Sequence, residues 1–220
     1  MKILAERGVT LIISRAYEDD VRDIRDFDMA FFGGAPLDPN VQDFATLGQI
    51  EQIRVGLSRG IPMLGICRGF QLLVLAAGGD VVLAPKKEEG MYDEEGVPFT
   101  VHLTSEGRED PLFRGLGANW FRVFHMHKMM CDLKNIPESV LLATGRQEYC
   151  HVQIARIGSM YGFQSHIEFD IAMMEHFTLR VPDFQALGDT LMSDFERFYE
   201  EYYAVTQRLI NNFLDIAETY

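Results

Sequence analysis

The sequence predicts an α/β fold: a doubly wound, mostly parallel sheet with helices on both faces, followed by a helical C-terminal extension. Three observations predict it. Short apolar runs alternate with helical patterns through the first two thirds of the 220 residues. Glycine pairs such as Gly33-Gly34 and Gly78-Gly79 punctuate the element ends. Residues 172–219 carry helical periodicity with no further strand signal.

In chain order, Val9-Thr10-Leu11-Ile12-Ile13 is rich in β-branched residues and reads as a strand. The acidic stretch from Tyr17 to Asp28 reads as a short helix, and Met29–Phe32 as a buried strand. Residues 41–60 read as a helix with apolar positions at Leu47, Ile50, Ile53, Val55 and Leu57, stopped by Gly60. The strand Pro62–Ile66 runs through Cys67-Arg68-Gly69 into an apolar helix, Phe70–Ala77. Later strands are expected at Phe99–Leu103, Val140–Ala143, Val152–Ala155 and Met160–Gln164. In the tail, Phe195, Phe198, Tyr199, Tyr202 and Tyr203 form an aromatic stripe suited to core packing or an interface. The length suits one domain, residues 1–220, and no repeat or low-complexity linker divides it.

Hydrophobic residues make up 47% and charged residues 24%, the balance of an ordinary globular chain. With 20 basic and 33 acidic residues the formal net charge is −13, which repels phosphate backbones and argues against nucleic acid as a partner. No apolar run is long enough to span a bilayer, and the N-terminus lacks a signal-peptide pattern. The three cysteines, Cys67, Cys131 and Cys150, form no Cys-x-x-Cys pair. Reduced thiols and a cytoplasmic location are therefore expected. Glu88-Glu89 and Asp93-Glu94-Glu95 read as a solvated acidic loop.

The segment Gly65-Ile66-Cys67-Arg68-Gly69 is a Gly-x-Cys-x-Gly elbow between a strand and a helix. A sharp turn there forces the nucleophile into strained backbone, so its neighbours must be small. The thiol then sits over a helix N-terminus, whose unpaired N–H groups favour the thiolate. The Arg68 N–H would aim at the oxygen of a carbonyl under attack. A cysteine between glycines can equally be a small core residue, and a second segment decides between the two. Gly162-Phe163-Gln164-Ser165-His166-Ile167-Glu168 follows a predicted strand and offers a base with a carboxylate two residues on. On extended backbone both point the same way. A cysteine nucleophile needs such a base, and the base needs an acceptor to fix its tautomer.

These two segments resemble the signature motifs of class I glutamine amidotransferase domains, Gly-x-Cys-x-Gly-x-Gln and Gly-x-Gln-x-His-x-Glu. Phe32-Gly33-Gly34-Ala35-Pro36 is similar to the family's oxyanion strand, Gly78–Val82 to the segment after the elbow helix, and Asp110–Leu116 to a run before its substrate loop. The resemblance implies a flavodoxin-like sheet and a triad of Cys67, His166 and Glu168. It implies oxyanion N–H groups from Gly34 and Arg68, and substrate contacts from Gln71 and from a loop around His125, Met126 and His127. It requires no cofactor. Metal binding by His125, His127 and Cys131 fits no zinc spacing and is not expected.

The chain departs from the family at Ser165 and Ile167 beside the histidine, at Lys128 in the substrate loop, and at the N-terminus. There the family's first strand is absent and only the tail of the following helix, Lys2–Gly8, is recognisable. A late start codon, another segment or a second subunit would fill that place, so self-association is an open expectation. The resemblance implies hydrolysis of the glutamine amide through a thioester, with ammonia passed to an acceptor on a separate synthetase. A γ-glutamyl amide or peptide hydrolase with the same triad, and a catalytically silent regulatory homologue, are the alternatives.

Overall fold

The computed structural model describes residues 2–18 and 20–220. In chain order the helix α1 (Lys2–Glu6) precedes strand β1 (Ala30–Phe32), helix α2 (Phe44–Arg59), strand β2 (Met63–Ile66) and helix α3 (Arg68–Ala76). Then come β3 (Asp80–Gly90), β4 (Thr100–Leu103), α4 (Ser105–Glu109), β5 (Trp120–Arg122) and β6 (His125–Asp132). The chain ends with β7 (Ser139–Thr144), β8 (Val152–Ile157), β9 (Met160–Phe163), α5 (Ile171–Arg180) and α6 (Pro182–Ala217), the last broken at Gly188.

Seven strands form the main sheet in the order β1-β2-β9-β8-β7-β4-β5, and β3 and β6 form a separate antiparallel pair. Every residue of β2 and β9 is buried, as expected of strands covered on both faces. On one face Ile53 of α2 and Phe70 and Leu73 of α3 pack with Met63 and Met160. On the other, Leu209 and Phe213 of α6 pack with Leu64, Val101, Leu142 and Phe163. A third cluster joins Phe124, Phe169, Met174, Phe184, Phe195 and Tyr202, so the aromatic stripe of the tail is core packing. Gly60 ends α2 in the left-handed conformation its position as helix stop requires.

The α/β architecture with helices on both faces is as expected, but parallel pairing is confined to β1–β2 and β2–β9. From β9 outward the pairs are antiparallel. Chain economy explains this. Gly158-Ser159 closes a two-residue hairpin between β8 and β9, whereas a parallel neighbour would need a long crossover.

Three local expectations are corrected. Residues 9–13 form no strand, and Leu11, Ile12 and Ile13 are 39–59% exposed. Strand propensity needs a neighbour to pair with, and none of the described strands pairs with this segment. The Tyr17–Asp28 stretch holds two 3₁₀ turns, Ala16–Glu18 and Ile24–Asp26, in place of a helix. Lastly, the first part of the acidic run and the histidine loop are strand: Glu88 and Glu89 lie in β3, and His125, Met126 and His127 in β6, while Glu94 and Glu95 form an exposed turn as expected.

Glu88 is buried, and it is so because it has partners. Its Oε2 lies 2.9 Å from His127 Nε2 and accepts from Gln153 Nε2 at 3.1 Å, while Oε1 is 3.8 Å from His125 Nε2. His127 Nδ1 faces the Met129 carbonyl at 3.0 Å, so that ring meets an acceptor at each nitrogen. Asp93 is likewise buried against Arg146, at 2.6 Å, and holds the N–H groups of Glu95 and Val97. Desolvation weighs against the charged Glu88, but the two histidines and Gln153 outweigh it and keep its carboxyl below the usual carboxylate range.

Burial also pulls His125 down to a pKa of about 3, against its ordinary value of about 6.5. Below about pH 6.5 the unfolded chain takes up a proton at this position that the folded chain refuses until near pH 3. Stability should therefore fall on acidification through this window, with a limiting slope of about 1.4 kcal/mol per pH unit from this group. Denaturant unfolding between pH 7 and 4 should show that slope, and His125→Gln should flatten it. An unchanged slope in the variant would refute the assignment.

Candidate active site

The turn between β2 and α3 is built for one side chain. Cys67 has φ 52° and ψ −110°, and among the described residues it is the one non-glycine residue with positive φ. Such a conformation costs on the order of 1–3 kcal/mol and persists only where its surroundings hold it. The holding is visible. The Cys67 N–H donates to Phe163 O at 2.7 Å, and its own carbonyl accepts from the Gln71 N–H in the first turn of α3. The flanking glycines allow the backbones to close up: a Cβ on Gly69 would lie 1.9 Å from Phe32 O, and one on Gly65 2.7 Å from the Gly69 carbonyl carbon. The Gly-x-Cys-x-Gly spacing thus follows from β1, β2 and α3 meeting without side chains between them.

His166 follows β9 and hydrogen-bonds through its own N–H to Phe124 O at 2.9 Å. Its Nδ1 lies 2.7 Å from Glu168 Oε1, and Glu168 Oε2 accepts from the Ile167 N–H at 2.9 Å. The same ring lies beside the Cys67 side chain. Burial alone would make the His166 ring less basic, but the Glu168 carboxylate and the Cys67 sulfur beside it reverse that and hold it well above its ordinary range. By contrast, burial pushes the thiols of Cys131 and Cys150 well up, so neither is a candidate nucleophile.

Helix α6 braces the histidine segment. The Tyr202 hydroxyl donates to His166 O and accepts from the Phe169 N–H, both at 3.2 Å, and Thr206 Oγ1 donates to Ile167 O at 2.9 Å. Tyr202 and Thr206 are four apart on one helix face, a spacing visible in the sequence but without meaning until the helix is placed.

A cavity of about 340 Å³ opens over these groups, with Gly34, Cys67, Gln71, His127, His166 and Glu168 in its lining. Gly34 is brought against both reactive side chains: a Cβ there would lie 2.9 Å from His166 Cε1 and 3.5 Å from Cys67 Cβ. Arg68 opens α3, where its N–H has no intrahelical acceptor, and its side chain turns away to Thr46 Oγ1 at 2.7 Å and Gln49 Oε1 at 3.2 Å. Gln71 lines the cavity, with its Nε2 shared between Met129 O and Gln164 Oε1 at 3.3 Å each. Met126 also lines it, with its carbonyl 3.9 Å from Cys67 Sγ.

His125 is the exception among the expected substrate contacts. It is 1% exposed, absent from the lining, and tied to His127 Nε2 at 3.1 Å. His125 and His127 both turn toward Glu88, on the face of β6 opposite Met126, and of these two His127 also reaches the cavity lining. Glu88, His125 and His127 are also the one trio among the described residues whose potential metal-ligand atoms gather, all within 4.8 Å. Cys131 is not part of it; its sulfur lies beside Gln164 Oε1 at 3.9 Å.

Residues 1–181 match the family model for class-I glutamine amidotransferases. A putative glutamine amidotransferase-like protein, YfeJ, from Salmonella typhimurium is 31% identical over 80% of this chain and 72% of its own length. A γ-glutamyl-L-1-hydroxyisopropylamide hydrolase from a Pseudomonas species is 29% identical over 56% of this chain and 40% of its own. Among solved structures, a glutamine amidotransferase from Thermotoga maritima superposes with a TM-score of 0.80 at 21% identity, covering 96% of this chain and 90% of that one. The chain belongs to the class-I glutamine amidotransferase family.

Proposed function

We propose that the chain is a cysteine amidohydrolase that cleaves the side-chain amide of glutamine or of a related γ-glutamyl compound. The observation that carries this reading is the 2.7 Å contact of His166 Nδ1 with Glu168, on a ring that also lies beside the Cys67 side chain of a strained elbow.

In the proposed reaction Cys67 Sγ, as thiolate, attacks the amide carbon. The Gly34 and Arg68 N–H groups stabilise the oxyanion. His166 gives its proton to the leaving nitrogen as the C–N bond breaks, and the acyl group remains as a thioester on Cys67. His166 then takes a proton from water, the resulting hydroxide attacks the thioester carbon, and the carboxylic acid leaves with return of a proton to sulfur. Glu168 keeps the imidazole in the productive tautomer throughout. Gln71 borders the place for the glutamyl head. Lys128, the one lysine or arginine in the lining among the described residues, is available for its α-carboxylate. With glutamine as substrate the released ammonia would serve an acceptor, on a separate synthetase in the manner the family implies. The γ-glutamyl hydrolase reading needs no such partner. The Pseudomonas relative is named for hydrolysis of that kind, and the apolar breadth of the cavity favours it here.

Glutamate release from glutamine and from γ-glutamyl amides tests the reading. Cys67→Ala and His166→Ala should each lower kcat by more than about 10⁴-fold without loss of fold, and Glu168→Gln should lose less, because an orienting group matters less than nucleophile or base. Turnover by Cys67→Ala at the wild-type rate would dismiss the mechanism.

A further inference from the structure

Resting on that reading, we propose that the apolar wall of the cavity is a leaving-group subsite, and that the preferred substrates are γ-glutamyl amides of primary amines carrying an uncharged apolar group. The wall starts at the histidine itself. The Phe169 ring stands edge-on to His166, with centroids 5.2 Å apart and planes at 89°. Phe169 in turn meets Phe177 at 5.3 Å and stacks on Phe184 at 5.8 Å. Met173 and Val181 complete the surface, so that five apolar side chains from a single stretch of chain, residues 169–184, line one side of the cavity.

Position gives this wall its meaning. The proton that departs with the leaving nitrogen comes from His166, so that nitrogen must sit within hydrogen-bond reach of the ring during C–N cleavage. Any substituent on it then extends along the surface that begins beside His166. Among the polar residues of the lining, Gln71 and Lys128 suit the glutamyl head. A primary carboxamide has nothing to place on the wall, because its leaving group is ammonia. Met173, Phe177 and Val181 are only half-buried, so their apolar surface remains to be covered by a ligand. Two carboxylates of the lining border that stretch: Glu168, already engaged by His166 and the Ile167 N–H, and Asp183, which is exposed to solvent. An alkyl or aryl group on the amine therefore gains more from this surface than a cationic one.

The test is a series of substrates with a constant γ-glutamyl part: glutamine, the methylamide, the isopentylamide and the amide of a diamine. Release of glutamate is followed for the full chain. The kcat/KM should rise along the apolar series, by at least about tenfold from glutamine to the isopentylamide, with the diamine amide below the isopentylamide. Phe177→Ala and Met173→Ala, checked for intact thermal unfolding, should each lower the isopentylamide-to-glutamine ratio by about tenfold. Glutamine as the best substrate, the diamine amide as the best substrate, or a ratio unmoved by both variants would overturn the proposal while leaving the triad in place. Should a variant fail to fold, the wild-type series alone decides. Hydrolysis of none of the four compounds would instead remove the amidohydrolase reading on which this one rests.

Discussion

One backbone conformation organises this molecule: the left-handed turn at Cys67, where the chain passes from the end of β2 into α3. A side chain held there has no room to sink into the sheet, and its sulfur is delivered to the surface of a cavity. Holding the turn requires β1 and β9 to flank β2 in parallel, with Phe32 O almost touching Gly69 and Phe163 O accepting the Cys67 N–H. The same parallel pairing sets the end of β9 beside the end of β2. A histidine just beyond β9 is thereby brought to the thiol without any long-range coincidence.

The rest of the structure keeps that histidine segment in place. Residues 166–169 leave the sheet, and irregular backbone near a site needs its polar groups satisfied. Phe124, Tyr202 and Thr206 meet the need from β6's approach and from α6. The C-terminal helices therefore do two things at once. Their aromatic face closes a core with Phe124 and Phe169, and α5, with the residues on either side of it and the start of α6, supplies the apolar side of the cavity. In the proposed chemistry this ties the choice of leaving group to the same helices that steady the base.

Much of this was legible in the sequence because the elbow and the His-x-Glu pair are local patterns. Gly65, Cys67 and Gly69 announce a steric requirement within five residues, and His166 and Glu168 share a side of extended backbone. What was not legible depends on partners distant in sequence. Glu88 reads as a solvated acid until β3 pairs with β6 and Gln153 reaches it; only then does burial become affordable. His125 reads as a substrate contact until strand alternation turns it inward. Val9–Ile13 carries strand composition, yet composition alone cannot supply a neighbouring edge. The antiparallel half of the sheet depends on a hairpin at Gly158, whose effect on direction no periodicity records.

In the proposed chemistry Cys67, and neither Cys131 nor Cys150, is the nucleophile facing a γ-glutamyl site. The most direct measurement is mass spectrometry of the intact chain, then of its peptides, after incubation with a glutamine analogue bearing an electrophilic carbon in place of the amide. One adduct per chain is expected, on Cys67, suppressed by excess γ-glutamyl substrate and lost in His166→Ala. Labelling of Cys131 or Cys150 at a comparable rate, or a Cys67 adduct that the substrate does not suppress, would contradict it.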